Sequence, residues 1–167
     1  TNAEGSEASG TVFTATGFTT ANNDLFVNNG GYYVAWGWKA GGTPSATNSN
    51  TSGAMTANSV AVNDSLQSSY TPSGSPSKYP KKMSVNTKAG FSIVSWTGGG
   101  GSAETIPHGL GQTPEMMILR GRDARVWSVY HSNLATPAYY LQMNSNNAQS
   151  SDGTMFYSAA PDSNKFT

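Results

Sequence analysis

The two histidines of this sequence are its side chains best suited to proton transfer or metal binding at neutral pH. His108 lies between Pro107 and Gly109, and His131 ends an alternating apolar segment. A catalytic histidine needs a nucleophile or an acid beside it, and a metal ion needs further ligands. The sequence around these histidines shows neither a catalytic partner nor further metal ligands. The sequence therefore predicts a turn residue at His108 and a polar side chain at a sheet rim at His131.

Carboxylates and a glycine run are the other candidates for chemistry. Glycoside hydrolysis needs two carboxyl groups facing one sugar, and a hairpin could bring Glu104 and Glu115 together. The run Gly98–Gly101 lacks the lysine and the following helix of a phosphate-binding loop, which favours a flexible hairpin tip. We predict no enzymatic activity, with no catalytic residue, no cofactor and no metal ion.

Aromatic side chains make up 11% of this polar chain, and most of them are expected to fill a core that has few leucines. Trp36 and Trp38 share one face of a predicted strand, whereas Tyr139 and Tyr140 point to opposite faces of another. An exposed ring beside Asn and Gln can stack on a sugar. We therefore predict that Trp36, Trp38, Tyr139, Tyr140 and His131 are candidate contacts for a glycan or a partner protein.

These residues are predicted to lie on strands. Helices are disfavoured because Gly, Asn, Ser and Thr interrupt every run with helical spacing. The aromatic run 32–38 follows an Asn29-Gly30 turn and is predicted to be a strand. The run 91–96 carries bulk on both faces, which predicts a central strand, and 116–119 predicts a buried one. Turn signals separate these strands, so the sequence predicts an all-β, antiparallel, sandwich-like fold. Further strands are predicted at 125–131, 139–144, 154–157 and 165–167.

Residues 43–82 form a long irregular stretch that is rich in Ser, Asn, Gly and Pro. The stretch has few large apolar side chains and exceeds an ordinary loop. It is interpreted either as a linker or as a loop that becomes ordered on assembly. We then expect 1–42 to be an N-terminal β segment, the end of a preceding repeat or subdomain. Residues 83–167 are expected to form a sandwich-like domain that is truncated at its C-terminal end.

Composition narrows the classes of function. The net charge is +0, with 9 basic and 9 acidic residues, whereas nucleic-acid binders carry an excess of basic residues. Charged residues make up only 11%, as in fibres, adhesins and capsid components, and weak charge repulsion favours assembly. The absence of cysteine excludes disulfides. No apolar run has the length of a membrane span. We therefore expect neither a nucleic-acid partner nor a membrane span.

Four phrases of the sequence occur in a recognisable order, at residues 31–42, 86–98, 106–115 and 127–132. Together they resemble a β-rich repeat domain of structural and tail-fibre proteins of tailed phages, especially marine and cyanobacterial phages. The Phe-Thr pair at 13–14 recurs at 166–167, as expected for one period of a tandem array. The resemblance implies a protein of the virion that contacts other virion proteins. It gives no catalytic residue to carry over.

We predict a component of a tail fibre or surface appendage that serves assembly and host-surface recognition. Its partners would be further copies of itself, with a trimer favoured, other virion proteins and a host surface glycan. Two alternatives stay open. A capsid decoration or head-fibre protein would have the same composition. A secreted carbohydrate-binding module would show a planar strip of exposed aromatic rings, and a glycan depolymerase would show a facing carboxylate pair.

Overall fold

The computed structural model describes residues 12–19, 32, 34–123, 126–143 and 145–167. The chain divides into two compact units. The first contains residues 1–37 and 121–126, and the second contains residues 38–120 and 127–167. The second unit therefore contains residues of all three segments that were expected from the sequence, 1–42, 43–82 and 83–167.

All regular elements of the described residues are β-strands, and most of them pair antiparallel. The predicted all-β, sandwich-like fold class is confirmed. The first unit contains a hairpin of β1 and β2, and the other strands belong to the second unit. The strands are β1 (Val12–Thr14), β2 (Gly17–Thr19), β3 (Val60–Val62), β4 (Ser65–Leu66), β5 (Lys82–Asn86), β6 (Phe91–Ser95), β7 (Ile106–Pro107), β8 (Met116–Leu119), β9 (Ser128–His131), β10 (Tyr139–Gln142), β11 (Ser150–Ser151) and β12 (Lys165–Phe166).

A four-stranded sheet in the order β4-β3-β5-β6 carries the hydrophobic core of the second unit. β5 runs parallel to β3 and antiparallel to β6. Val60, Met83 and Val85 lie on one face of this sheet and pack with the buried Met55. Because side chains alternate along a strand, the intervening Ser84 lies on the opposite face. Both faces of β5 are buried.

The polar face of β5 is covered by residues 38–44, which we call the strap. The backbone N–H of Gly41 donates to Ser84 Oγ over 3.0 Å, and this hydroxyl donates to the Gly42 carbonyl over 2.5 Å. Gly41 lies so close to the backbone of Val85 that no Cβ would fit there. The strap therefore satisfies the buried hydroxyl of the central strand.

Residues 43–82 are packed into the second unit, which differs from the expected linker or loop ordered on assembly. Met55 enters the core, and the buried Asn48 holds the surrounding backbone together. Its Nδ2 donates to the Pro80 carbonyl, and its Oδ1 accepts the N–H of Thr56, both over 2.9 Å. Such side-chain bonds to backbone groups order a segment that buries little apolar area. Its Ser- and Asn-rich composition therefore does not indicate a linker.

The second four-stranded sheet, in the order β11-β10-β9-β8, is antiparallel throughout. Its strand β9 buries Ser128, Val129 and Tyr130. The fully buried Phe156 meets Tyr130 edge-on, with 5.7 Å between the ring centroids. The short strands β7 and β12 pair separately with each other.

Two strand predictions are wrong. Residues 32 and 34–38 are exposed and form no strand, while the predicted turn at 29–31 lies outside the described residues. Residues 154–157 form turns, because the Asp152 carboxylate accepts the N–H of Thr154 over 2.8 Å and bends the chain. Phe156 reaches the core from these turns.

Two further strands lie at the predicted residues, but their predicted positions within the sheets are wrong. The predicted central strand at 91–96 is β6, at the edge of its sheet. The predicted buried strand at 116–119 is β8, also an edge strand, and Met116 and Ile118 are exposed. Apolar residues on these strands line a cleft, which the pattern of residue types alone does not distinguish from a core.

Candidate functional site

A cleft of about 630 Å³ in the second unit is bordered by β6 and β8. Its volume lies within the range of ligand-binding pockets. Ile93 is 54% exposed and Met116 is 51% exposed. The edge strands of the two four-stranded sheets therefore present apolar side chains to one open cavity.

Consecutive residues of both strands line this cleft: Ser92, Ile93 and Val94 on β6, and all of Met116–Leu119 on β8. Neighbouring side chains of a strand point to opposite faces of a sheet. Residues of both faces of each strand therefore line the cleft, and β6 and β8 each lie at the edge of a sheet.

Aromatic rings surround the two edges. Trp38 stacks on Phe91 with 5.7 Å between centroids and 11° between the ring planes, and it remains 59% exposed. Trp96 meets Phe166 edge-on at 5.5 Å. These rings and Trp127 all line the cleft.

A positive charge lies beside this aromatic wall. The guanidinium carbon of Arg120 is 4.7 Å from the ring centroid of Trp127. A guanidinium over a ring face is attracted by the ring quadrupole. This contact places a guanidinium over the face of a ring that lines the cleft.

Of the predicted contact residues, only Trp38 lines the cleft. Trp36 is exposed and belongs to the first unit. Tyr139 and Tyr140 are both half-buried on β10, so neither is the fully exposed ring that the alternation suggested. His131 is half-buried, and its Nδ1 accepts the N–H of Asn133 over 3.1 Å. The latter three do not line the cleft.

The apolar residues that border the cleft, Ile93, Met116 and Ile118, were not predicted as site residues from the sequence. Each was assigned to a buried or central strand. The signal that could have identified them is the absence of charge on both strands together with bulk on both of their faces. That pattern fits an edge covered by a partner as well as it fits an interior strand.

His108 is buried in the turn after β7, and its hydrogen bonds stabilise the fold. The N–H of Leu110 donates to its Nδ1 over 3.2 Å, so Nε2 carries the proton and donates to the Asp162 carbonyl over 3.0 Å. Its backbone N–H donates to the Asn164 carbonyl over 3.1 Å. Both ring nitrogens are occupied by backbone groups, and the histidine ties the β7 turn to the segment before β12.

Burial lowers the pKa of His108 below its ordinary value of 6.5, although the hydrogen bond to the Asp162 carbonyl and the Asp162 charge oppose this shift. The unfolded chain therefore binds a proton near pH 6.5 that the folded chain does not bind. The free energy of unfolding is therefore highest above this pH and decreases as the pH falls below it.

We expect urea denaturation between pH 7.5 and pH 5.5 to show a free energy of unfolding that decreases with decreasing pH, with a slope of at most about 1.4 kcal/mol per pH unit for one proton. The His108→Gln variant should lose the slope, whereas His131→Gln should keep it. The Asp162 carboxylate does not interfere, because the N–H groups of Asn164 and Lys165 lower its pKa from 3.8, which places its effect at more acidic pH. Equal slopes in both variants would contradict the role assigned to His108.

The described carboxylates form no cluster of metal-ligand type. In the part of the chain that the structure describes, no three His, Asp or Glu side chains lie close enough together to hold a metal ion. Glu104 pairs with Lys78 over 3.2 Å, and its carboxylate also accepts the N–H of Gly99 over 3.1 Å. Glu104 therefore has an evident structural role in holding the 98–101 loop.

Across the described ranges, no helix is long and apolar enough to cross a membrane.

Comparisons with known proteins identify the family of this chain. No curated protein and no solved structure matches the chain. A family model described as Domain of unknown function (DUF7483) matches residues 67–167, more than half of the chain. The match includes β5 to β12 and so contains both strands that border the cleft. The chain therefore belongs to the DUF7483 family.

Proposed function

We propose that this protein is a non-enzymatic structural component of a phage virion, in a tail fibre or another surface appendage that serves assembly and host-surface recognition. The observation that carries the proposal is the apolar cleft bordered by two edge strands. In this function the cleft joins the chain to neighbouring subunits.

Among the described residues, the edges of β6 and β8 lack the protection usual in a monomeric protein. Monomers shield edge strands with charged residues, proline or a covering element. Neither strand contains a charged residue or a proline, and Ile93 and Met116 are more than half exposed. Contiguous exposed apolar surface of this kind marks an interaction site.

Charge and composition support assembly. A net charge of +0 and a charged fraction of 11% provide little repulsion between copies. The resemblance of four ordered phrases to phage tail-fibre domains supports the virion as the setting. Together they favour subunits that join one another over an intracellular enzyme.

The exposed ring of Trp38 supports the part of the proposal that concerns recognition. It stacks in parallel on Phe91 and remains 59% exposed. A flat open ring suits the apolar face of a sugar. This same observation favours the second candidate function, a secreted carbohydrate-binding module.

Light scattering on the chain should give the mass of a closed oligomer, with a trimer favoured. Met116→Lys places a charge at the cleft and should weaken association at least about tenfold, about 1.4 kcal/mol. Ser151→Lys places the same charge on β11, the exposed opposite edge of the same sheet, and should leave the mass unchanged. A stable monomer would contradict the proposed role in assembly and favour the sugar-binding module.

The position in the virion requires a separate measurement. Antibodies against the chain should label the tail or its appendages in electron micrographs of purified particles from the phage that encodes it. Labelling of the head would identify a capsid decoration or head-fibre protein instead. Unlabelled particles that also lack the chain by mass spectrometry would exclude a virion component.

A further inference from the structure

We propose that His108 makes the cleft sensitive to pH, so that proton uptake by its ring releases the turn at 108–111 and weakens the contact that the cleft makes between subunits. This inference rests on the proposed function and adds a regulator to its contact site. The regulator is a proton, and the element that responds is a turn that joins a buried histidine to the wall of the cleft.

The turn at 108–111 forms part of that wall. His108 and Leu110 both line the cleft, and so does Phe166 of β12. Leu110 also packs against the core cluster that contains Met83. A shift of Leu110 therefore changes the shape of the cleft as well as that of the turn.

The bond between the turn and the ring exists only while the ring is neutral. A neutral imidazole has one acceptor nitrogen, and Nδ1 of His108 accepts the N–H of Leu110 over 3.2 Å. Protonation makes Nδ1 a donor, which then faces the donor N–H of Leu110. Nε2 donates to the Asp162 carbonyl over 3.0 Å in both states. The added proton therefore breaks the bond to Leu110 and keeps the bond to Asp162.

The core limits where the released turn can go. Gly109 lies against the core, where a Cβ would come within 2.9 Å of Val85 Cγ2 and 3.0 Å of the Tyr70 hydroxyl. The opposite side of the turn is the open cleft that Leu110 lines. The released turn therefore has room on the side where a neighbouring subunit would bind.

The other charged and titratable groups near the ring do not change their charge between pH 7.5 and pH 5.5. The Asp162 carboxylate attracts a proton on the ring, and two backbone N–H groups lower its own pKa from 3.8. Lys165 on β12 donates its Nζ to the Gly74 carbonyl over 2.7 Å. On the core side, burial raises the pKa of the Tyr70 phenol above its ordinary value of 10.0, so this group stays neutral. The change of charge at this turn therefore belongs to His108.

Acid favours the released turn. Burial lowers the pKa of His108 in the closed turn, whereas a ring in a released turn takes up a proton near its ordinary value of 6.5. Below this pH the released form gains at most about tenfold in population, relative to the closed form, for each pH unit. A cleft that holds a neighbouring subunit requires the closed turn, so every subunit contributes its own loss of affinity.

Sedimentation equilibrium at pH 7.5 and pH 5.5 tests this proposal. We expect the association constant of the unmodified chain to fall about three- to tenfold per subunit between these values. His108→Gln should remove the pH dependence, because no imidazole remains to take up the proton. His108→Asn should remove it too, and its Oδ1 can still accept the Leu110 N–H if the glutamine variant folds poorly. PH dependence that persists in a folded variant of His108 would overturn the proposal.

Two control variants should keep the pH dependence of the unmodified chain. His131 accepts the N–H of Asn133 through its own Nδ1 and lies outside the cleft, so His131→Gln removes a similar bond elsewhere. Among the described residues that line the cleft, Glu115 is the other ionisable one, and Glu115→Gln removes its charge. Loss of the pH dependence in either control would also overturn the proposal.

The Leu110 amide reports the release directly in the unmodified chain. Its NMR resonance should shift between pH 7.5 and pH 5.5 with the same midpoint as the His108 ring protons. The Met55 amide donates to the Tyr70 carbonyl over 2.8 Å in the core and should not shift. A Leu110 resonance that stays in place, or an equal shift at Met55, would refute a local release of the turn.

The mass at pH 7.5 separates this inference from the proposed function. An oligomer with the same association constant at both pH values would refute control by His108 and retain the role in assembly. A chain that is monomeric at both pH values would refute the role in assembly and, with it, the control of assembly by His108.

Discussion

Replacing Gly41 with alanine is expected to lower the free energy of unfolding by about 4 kcal/mol or more, which is exceptional for a single methyl group. The added Cβ would coincide with the backbone of Val85, which cannot move aside as a flexible side chain can. The strap would have to lift away and leave the Ser84 hydroxyl buried without its partners. Urea denaturation followed by circular dichroism measures the loss.

Gly98→Ala is the matched control for this substitution. Gly98 lies in an exposed loop, and a Cβ there would meet no atom within 4 Å. Its unfolding free energy should change by no more than about 0.5 kcal/mol, as for other surface substitutions. Similar midpoints for the two variants would show that the strap does not hold the face of β5.

The second large effect is expected at Asn48, where alanine should cost about 3 kcal/mol because several buried backbone groups lose their partner together. The Oδ1 atom accepts the N–H groups of Thr56 and Asn50, over 2.9 Å and 3.1 Å. The Nδ2 atom donates to the carbonyls of Pro80 and Asn50, both over 2.9 Å. The same denaturation experiment measures this loss.

Two further variants identify the cause. Asn147 is exposed and its side chain has no hydrogen bond among those of the described residues, so Asn147→Ala should change stability little. Asn48→Asp retains the acceptor that holds Thr56 and Asn50, but it replaces the donor to the carbonyls of Pro80 and Asn50 with a buried carboxylate oxygen. Its effect should be smaller than that of Asn48→Ala only if the acceptor bonds outweigh the cost of burying this carboxylate. An Asn48→Ala protein as stable as the Asn147→Ala protein would refute the role of Asn48.

Residue alternation and turn signals predicted β6, β8, β9 and β10, because local period and turn chemistry act over a few residues. The same rules failed at 154–157. The Asp152 carboxylate there binds the N–H of Thr154 and turns the chain. A single side-chain contact outweighed the strand propensity of Met155 and Phe156.

Such local rules predicted the candidate site less well than the strands. An apolar run such as Met116–Leu119 has the same residue pattern whether its own chain or another chain covers it. Trp38 was identified as a contact residue because its ring type suits binding, and it does line the cleft. Tyr139 and Tyr140 are aromatic too, yet they do not line the cleft, and their strand pairs β9 on one side and β11 on the other. Pairing between strands distant in sequence decides which rings face a cavity, and a single sequence does not record it.

The parallel pairing of β3 with β5 affects how a nascent chain behaves. Parallel strands cannot be joined by a tight turn, so residues 63–81 must be looped before the pair forms. The β5–β6 hairpin closes through a short turn at 87–90 and needs no such delay. During synthesis β3 can pair with the nearby β4, but Val60 and Ala61 lack their β5 neighbours until residues 82–86 have been made. One side of this apolar strand is therefore exposed for longer than either strand of the β5–β6 hairpin.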